Sequence, residues 1–271
     1  MNKPTIKIVF TDLDGTLLNS QRKVSANDLT MLHHLKDKNI IRVLATGRNL
    51  YSLSKVIRDD FPIDYVIFST GAGILDWNTK SLIHSTNLEK KQINGVADLL
   101  LKNDMNFMVQ KEVPDNHKFH YLKNGNIGAD FQRRIDIYEE VAEAVEEINL
   151  EIASQFLTIF EDLDSFDYVK NQMEGVKVVR ATSPLDQKSI WMEIFHKDVS
   201  KGMGCHWLCN HLSIEQKYSI GIGNDFNDLD MLNWTNHSFV VSNSHSDLHE
   251  KFQVIKHHDE SAFSAVLKDF V

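Results

Sequence analysis

The sequence predicts an α/β protein: a doubly wound parallel sheet of the Rossmann-like kind, with a second, α+β domain inserted into it. Two observations predict this class. Apolar strand patterns alternate with helix patterns towards both ends of the chain, whereas the middle mixes short strands with helices. We therefore predict a core made of residues 1–82 and 191–271, and an inserted α+β domain over residues 83–190.

The N-terminal part supplies the first half of the predicted core. Residues 5–11 form an apolar, β-branched strand pattern, and 25–38 fit a helix with Ser25 or Asn27 near its start. A strand, a helix and a third strand follow, in the segments IIRVLATG, NLYSLSKVIRDD and YVIFSTGAG. This βαβαβ order implies parallel strands with helices on both faces of the sheet.

The C-terminal part repeats the alternation. The predicted elements are a helix over 201–213, the strand YSIGIG, a helix near 227–234, the strand SFVV and a helix over 260–270. The inserted domain has the strand patterns NFMVQ, KFHYL, FLTIF, VKVVR and WMEIF, and helix patterns over 89–103, 136–148 and 164–174. Cys205 and Cys209 share one helical face with two leucines, which indicates core packing rather than a metal site or a disulfide.

Composition excludes several classes of partner. The chain has 271 residues, 42% of them hydrophobic, and a net charge of −9. An acidic protein is a poor match for nucleic acid or an anionic membrane, although a small anionic substrate remains compatible. No signal peptide is visible, and no apolar run approaches the ~20 residues of a membrane span, so we expect a soluble, cytoplasmic protein.

Polar residues gather where the predicted core strands end. They are Asp12 and Asp14 after the first strand, Thr46, Gly47 and Arg48 after the second, and Asn224, Asp225, Asn227 and Asp228 after the late strand, with Lys201 opening a helix. In open parallel sheets, ligands bind just beyond the carboxyl ends of the strands. The acids would repel one another, and a hard divalent cation would resolve that repulsion. Oxygen ligands with few imidazoles favour Mg²⁺, and the added hydroxyl, backbone amides and lysine suit a phosphoryl group.

These motifs, in this order, resemble the haloacid dehalogenase superfamily. They are DLDGTLL at the end of the first strand, TGR after the second, a lysine, and a late acidic loop. The position of the inserted domain resembles the Cof-type sugar-phosphate phosphatases, in which such a domain is a cap. The resemblance implies a Mg²⁺-dependent phosphomonoester hydrolase that acts on a small phosphorylated metabolite through an aspartyl-phosphate, with substrate specificity residing in the cap.

The resemblance also implies roles for individual residues. Asp12 would be the nucleophile, and Asp14 would protonate the leaving oxygen and then activate water. The phosphate-binding residues that it implies are Leu13, Thr46, Gly47, Lys201 and Asn227.

The late loop departs from the family pattern. GNDFND places Asn224 where the family commonly has an aspartate, and STGAG stands where NGA is usual. The expected metal ligands are Asp12, Asp14, Asn224 and Asp228. Two arrangements are open: Asn224 is the ligand with Asp228 behind it, or Asp225 turns inward instead.

Two other functions are compatible with the sequence. A phosphomutase would use the same nucleophile, and a sugar-phosphate sensor would keep the fold but lose turnover through Asn224. In the inserted domain, Arg133 and Arg134 are expected on a solvated helix face, with an anion-reading role as the alternative, and VAEAVEEI is expected to be a solvated acidic helix.

Overall fold

The computed structural model describes residues 5–183, 185–186 and 188–271. It divides into two compact units, one formed by Met1–His84 with Ser200–Val271 and the other by Ser85–Val199. The predicted second boundary, between 190 and 191, lies too early. The strand Ile190–His196 pairs along its whole length with two strands of the second unit, so it belongs to that unit and not to the core.

The elements are as follows. The strands are β1 (Ile8–Thr11), β2 (Ile41–Ala45), β3 (Tyr65–Phe68), β4 (Gly73–Asp76), β5 (Ser81–Ser85), β6 (Leu88–Glu89), β7 (Phe107–Gln110), β8 (Phe119–Leu122), β9 (Ala142–Ala144), β10 (Ile152–Ala153), β11 (Gln155–Phe160), β12 (Val176–Thr182), β13 (Ile190–His196), β14 (Ser219–Gly223), β15 (His237–Val241) and β16 (Gln253–Ile255). The helices are α1 (Ala26–Asp37), α2 (Leu50–Leu53), α3 (Lys90–Lys102), α4 (Ala129–Ile137), α5 (Leu163–Lys170), α6 (Lys201–His211), α7 (Leu229–Trp234), α8 (Ser246–His249) and α9 (Ala262–Leu267).

The first unit is built on an eight-stranded sheet in the order β16-β15-β14-β1-β2-β3-β4-β5. The pairs from β16 to β3 are parallel, and β4 runs antiparallel to β3. This confirms the predicted α/β class. Every residue of β1 is buried, and the strand lies between β14 and β2, so its carboxyl end opens at the centre of the sheet.

Helix α6 covers part of this sheet. Cys205, Leu208 and Cys209 pack in one apolar cluster with Ile8 and Phe10 of β1, which confirms the predicted core packing. Both cysteines are free, and burial raises the pKa of both thiols, that of Cys209 to about 12. The face that carries them therefore serves packing.

The second unit is built on a six-stranded sheet in the order β12-β13-β11-β7-β8-β9. One face packs against α3 and α5, through residues such as Ile93 and Phe166. The other face, which we call the α4 face, carries Met108, Leu157 and Trp191 and packs against α4.

The predicted helix over 136–148 is wrong. Helix α4 ends at Ile137, and the chain then forms β9, which pairs in parallel with β8. The amide of Val145 donates to the carbonyl of Tyr121, and that of Phe119 donates to the carbonyl of Val141. Alanine and glutamate favour a helix, but pairing at the sheet edge outweighs this intrinsic preference.

Two smaller expectations also differ from the structure. Helix α2 ends at Leu53, where the amides of Val56 and Ile57 both donate to the Leu53 carbonyl and close a turn. Arg134 is not on a solvated face: its guanidinium lies over the rings of Phe119, Tyr138 and Trp191. Apolar stems and planar guanidinium groups pack well on aromatic faces, which explains its position.

Candidate active site

The loop after β1 carries the first two predicted site residues. The amide of Asp12 donates to the Ile222 carbonyl at 2.8 Å, which extends the pairing with β14 by one residue. The Leu13 carbonyl then accepts from the amides of Leu17 and Leu18, so the chain curls back over itself. Gly15 adopts a φ of 76° in this turn, which residues with a Cβ rarely adopt.

Asp12 lies in a buried charge cluster with Lys201 and Asp228. The Lys201 ammonium donates to Asp12 Oδ1 at 2.7 Å and to Asp228 Oδ1 at 2.6 Å, and its side chain is fully buried. Burial raises the pKa of Asp12 to about 7; Lys201 opposes this rise, while the Asp228 carboxylate adds to it. Burial also opposes the charge on Lys201, but the two carboxylates outweigh it and raise its pKa. Lys201 therefore stays charged.

Helix α6 places this lysine. Ser200 caps the helix by accepting from the amide of Met203, and Lys201 is the first helical residue. The next residue, Gly202, approaches α7 so closely that a Cβ on it would clash with the main-chain carbonyl of Asp230. The start of α6 is thus fixed against α7.

Asp14 is held by a two-pronged ion pair. Arg48 Nε donates to Asp14 Oδ2 at 2.6 Å, and Arg48 Nη2 donates to Asp14 Oδ1 at 2.8 Å. Arg48 is itself fixed by Nη1, which donates to Ser52 Oγ at 2.8 Å. The side chain of Asp14 remains 44% exposed, so its carboxylate is oriented and yet accessible. The sequence predicted that Arg48 follows a strand end, but it predicted no role for this residue. Its place in the TGR motif was the feature that could have indicated one.

The predicted phosphate-binding residues converge around the same strand ends. The Thr46 hydroxyl accepts from the amide of Arg48 at 3.1 Å, which turns the chain after β2. A Cβ at Gly47 would lie 3.4 Å from Asn227 Nδ2 and 3.6 Å from Thr70 Oγ1. Gly47 and Asn227 are therefore neighbours, although they are remote in sequence, and Thr70 is a further hydroxyl that sequence reasoning missed.

The late loop tests the two alternatives for the metal ligand. One end of the Asn224 carboxamide lies 3.1 Å from three atoms: Asp12 Oδ2, the main-chain oxygen of Asp14 and Thr16 Oγ1. With its nitrogen at that end, the amide can donate to all three. With its oxygen there, the site presents three oxygens from Asp12, Asp14 and Asn224. Adjacent ligands of an octahedral Mg²⁺ at about 2.1 Å lie about 3.0 Å apart, which is close to the 3.1 Å from the Asn224 amide to Asp12 Oδ2 and to the Asp14 main-chain oxygen.

Asp225 and Asp228 are engaged elsewhere. Asp225 Oδ1 accepts from the amide of Phe226 at 2.7 Å, at the start of a short 3₁₀ turn. Asp228 Oδ2 accepts from the amides of Asn224 and Asp225, and its Oδ1 accepts from Lys201. Both oxygens of the fully buried Asp228 are thus in use, which argues against the prediction that it ligates the metal directly. Its position is that of a support for Lys201 and for the loop.

This chain is similar in sequence to known hydrolases and phosphatases. The family model described as haloacid dehalogenase-like hydrolase matches residues 9–267. A protein of Buchnera aphidicola subsp. Baizongia pistaciae that is named as a phosphatase is 31% identical over 248 residues, which cover 88% of this chain and 87% of the relative. The 5-amino-6-(5-phospho-D-ribitylamino)uracil phosphatase YwtE of Bacillus subtilis is 25% identical over 283 residues, which cover 94% of this chain and 95% of the relative.

Solved structures share the fold. The phosphatase BT1666 of Bacteroides thetaiotaomicron superposes with a TM-score of 0.81 at 21% identity, over 98% of this chain and 95% of its own. BT4131, described as a sugar phosphatase of subclass IIB, superposes with a TM-score of 0.77 at 19% identity, over 97% and 98% of the two chains. In the part of the chain that the structure describes, no helix has the length and apolar character to cross a membrane.

Proposed function

Because this chain belongs to the haloacid dehalogenase-like hydrolases of the Cof type and is a phosphatase, we propose that it hydrolyses small phosphomonoesters through an aspartyl-phosphate on Asp12. The observation that carries this proposal is the buried contact of Asp12 with Lys201, beside an exposed Asp14 clamped by Arg48. One carboxylate is thereby kept close to a fixed positive charge, and the other is held in one orientation where solvent reaches it. Nucleophilic catalysis with a separate acid–base group needs this division.

In the first half of the proposed reaction, the Asp12 carboxylate attacks phosphorus. A bond forms between Asp12 oxygen and phosphorus, and the bond from phosphorus to the leaving oxygen breaks. Asp14, in its protonated form, gives its proton to that oxygen. Lys201 offsets the negative charge on the phosphoryl oxygens, together with the Thr46 hydroxyl, the Gly47 amide and the Asn227 carboxamide.

The second half releases phosphate. Asp14, now ionised, takes a proton from a water molecule as that water attacks the phosphorus of the aspartyl-phosphate. The bond between phosphorus and Asp12 breaks, and the products are inorganic phosphate and the original carboxylate. Arg48 is a positioning residue in this scheme, because its two hydrogen bonds hold Asp14 in one orientation.

A divalent cation fits the oxygens of this site, and we propose that it is Mg²⁺. Asp12 and Asn224 would hold it through their side chains, and Asp14 through its main-chain oxygen. When bound, the ion neutralises charge on the phosphoryl group and on Asp12. The described ligand set carries one carboxylate instead of the two that the family pattern would supply, because Asn224 is neutral.

The substrate proposed is a phosphorylated sugar or sugar alcohol. Two comparisons support this class: YwtE is named for a substrate that contains a phosphorylated ribityl chain, and BT4131 is described as a sugar phosphatase. We propose further that the second unit is the cap that selects the substrate, since the catalytic residues named above all belong to the first unit.

The test is phosphate release by the purified protein from p-nitrophenyl phosphate and from a panel of sugar phosphates, with and without Mg²⁺. Steady release that Mg²⁺ supports and Asp12→Asn abolishes is the expected result. An isomerised sugar phosphate without net phosphate would indicate a mutase instead, and binding of a sugar phosphate without any turnover would indicate a sensor.

A further inference from the structure

The second unit buries a carboxamide side chain that has no hydrogen-bond partner among the described residues. Gln110, the last residue of β7, is 1% exposed, and neither its Oε1 nor its Nε2 has a partner among the described residues. Buried carboxamides in proteins are nearly always hydrogen-bonded, because desolvation without a partner is costly. An unsatisfied one therefore needs an explanation.

The register of the sheet gives Gln110 its neighbours. It pairs with Phe119 of β8 on one side and with Gln155 of β11 on the other. Paired residues of adjacent strands point to the same face, and Gln110 lies two residues after Met108, so this row belongs to the α4 face. Gln155 is also buried.

The same face carries two charged groups. Glu193 of β13 is buried in the row next to Gln155, since it pairs with Leu157. The guanidinium of Arg134 lies over Phe119 and Trp191, and its buried Nε has no acceptor among the described residues. The α4 face thus presents donors and acceptors next to aromatic rings.

We propose that Gln110 and Arg134, with Gln155 and Glu193, form a binding site in the second unit for a hydroxyl-rich small molecule. A carboxamide offers two donors and one acceptor oxygen, a guanidinium offers donors alone, and a carboxylate offers acceptors. A sugar hydroxyl both donates and accepts, so a ring or chain of hydroxyls can satisfy the carboxamide of Gln110 and Nε of Arg134, and can also bond to Gln155 and Glu193. The aromatic rings supply apolar surface for its carbon skeleton, as is usual where a few polar groups orient a ligand.

Two kinds of ligand have the hydroxyl groups that this site would bind: the organic part of the phosphorylated substrate, and a separate free sugar or polyol. The first rests on the proposed function and the second does not. The probes are therefore ribose 5-phosphate, glucose 6-phosphate and ribitol 5-phosphate, and the free compounds ribose, glucose and ribitol.

The variant is Gln110→Leu, which keeps the approximate volume and removes the unsatisfied groups. Gln253→Leu is the matched control, because Gln253 is an exposed strand glutamine of the first unit. Without ligand, Gln110→Leu should melt at a higher temperature than the wild type, and Gln253→Leu at the same temperature. At least one probe should raise the melting temperature of the wild type and of Gln253→Leu, and should do so far less for Gln110→Leu.

Turnover gives a second readout. The ratio of kcat/KM for the protecting sugar phosphate to that for p-nitrophenyl phosphate should fall by about tenfold or more in Gln110→Leu, since sites built to bind hydroxyls lose discrimination when a partner is removed. Protection by phosphorylated probes alone assigns the site to the substrate, and equal protection by the free compound assigns it to a separate ligand.

Two results would overturn the proposal. If Gln110→Leu and a second variant, Gln110→Met, both melt below the wild type, the carboxamide has a structural partner. If they melt higher but no probe distinguishes them from the wild type, the carboxamide is an unsatisfied buried group that binds none of these ligands. Absence of any phosphatase activity in the wild type would count against the proposed function, and the melting experiments would still decide the role of Gln110.

Discussion

The candidate active site of the first unit and the α4 face of the second unit both bury polar side chains, but in opposite states. In the first, the buried Lys201 donates to two buried carboxylates, and Arg48 donates two hydrogen bonds to the partly exposed Asp14. In the second, neither polar atom of the Gln110 side chain has a hydrogen-bond partner within the described part of the chain. The contrast indicates two ways of using buried polar groups. The proposed catalytic side chains are oriented by hydrogen bonds within the protein, whereas the proposed ligand-binding side chains form their hydrogen bonds when a ligand binds.

The largest effect is expected from Asp12→Asn. The amide keeps the shape of the carboxylate and can still accept from Lys201, but it is not a nucleophile. Turnover should fall by ~10⁴-fold or more, as it does when nucleophiles are removed from other enzymes. Phosphate release from p-nitrophenyl phosphate measures this, with circular dichroism as the control for folding. Retention of more than a few per cent of wild-type activity would remove Asp12 from this role.

Asp14→Asn should come next. Loss of a general acid and base typically costs ~10²–10⁴-fold, and the loss should shrink for leaving groups that need little protonation. The comparison is between an alkyl phosphate and p-nitrophenyl phosphate, each at saturating Mg²⁺. Equal losses for the two substrates would contradict the acid role and would point to an effect on dephosphorylation.

Lys201→Met gives the sharpest contrast between the two regions. It should lower the stability of the protein, whereas Gln110→Leu should raise it. Removing one partner of a buried ion pair costs about 3–5 kcal/mol of unfolding free energy. Here the cost arises from ionised Asp12 and Asp228 left without a cation. The raised pKa of Asp12 lets it escape that cost by taking up a proton, so the destabilisation should be larger at pH 8 than at pH 5.5.

Urea unfolding of wild type and variant at both pH values measures this effect, without added metal. Lys217→Met is the matched control, since Lys217 pairs with Glu215 at the surface, where such pairs contribute little. If Lys201→Met is as stable as the wild type at pH 8, Lys201 does not offset the charge of the buried Asp12 and Asp228 carboxylates.

The smallest effects concern Mg²⁺ itself. If Asn224 is a neutral ligand, Asn224→Asp should tighten Mg²⁺ binding by several-fold, as added ligand charge does. Asn224→Ala should weaken it, and Asp225→Ala should weaken it less, because Asp225 caps a turn. Calorimetric titration of Mg²⁺ into each variant gives the affinities without reference to turnover. Loss of binding in Asp225→Ala with little change in Asn224→Ala would make Asp225 the ligand.

The sequence was enough to predict the sheet and the grouping of polar residues at its strand ends, for a physical reason. Buried parallel strands appear in the sequence as apolar runs, and the residues that follow them lie together at the carboxyl edge of the sheet. Asp12, Thr46 and Asn224 could therefore be grouped from the sequence alone. The side-chain partners could not be predicted in the same way. Whether Asp228 faces a metal or Lys201 depends on distances of a few ångströms between elements far apart in sequence.

The failures in the second unit have a related cause. The strand pattern WMEIF was assigned to the inserted domain, but the predicted boundary after residue 190 cut this strand off from it. The pairing of β13 with β11 and β12 places the boundary after the strand. For β9, the local composition favours a helix, but the segment instead pairs with β8 at the edge of the sheet. The sequence also gives no signal for a buried group such as the Gln110 carboxamide, because whether it finds a hydrogen-bond partner depends on which residues surround it in the folded protein.

The tight contact at the start of α6 has a consequence for engineering. Replacing a helical glycine with alanine is a common route to thermostable variants, since it stiffens the unfolded chain and improves helix propensity by up to about 1 kcal/mol. Gly95 of α3 is open to this change, because a Cβ there meets nothing within 4 Å. Gly202 is not, because a methyl group pressed against the Asp230 carbonyl would push away the helix end that carries Lys201. A stabilisation library for this protein should therefore include the first glycine and leave out the second.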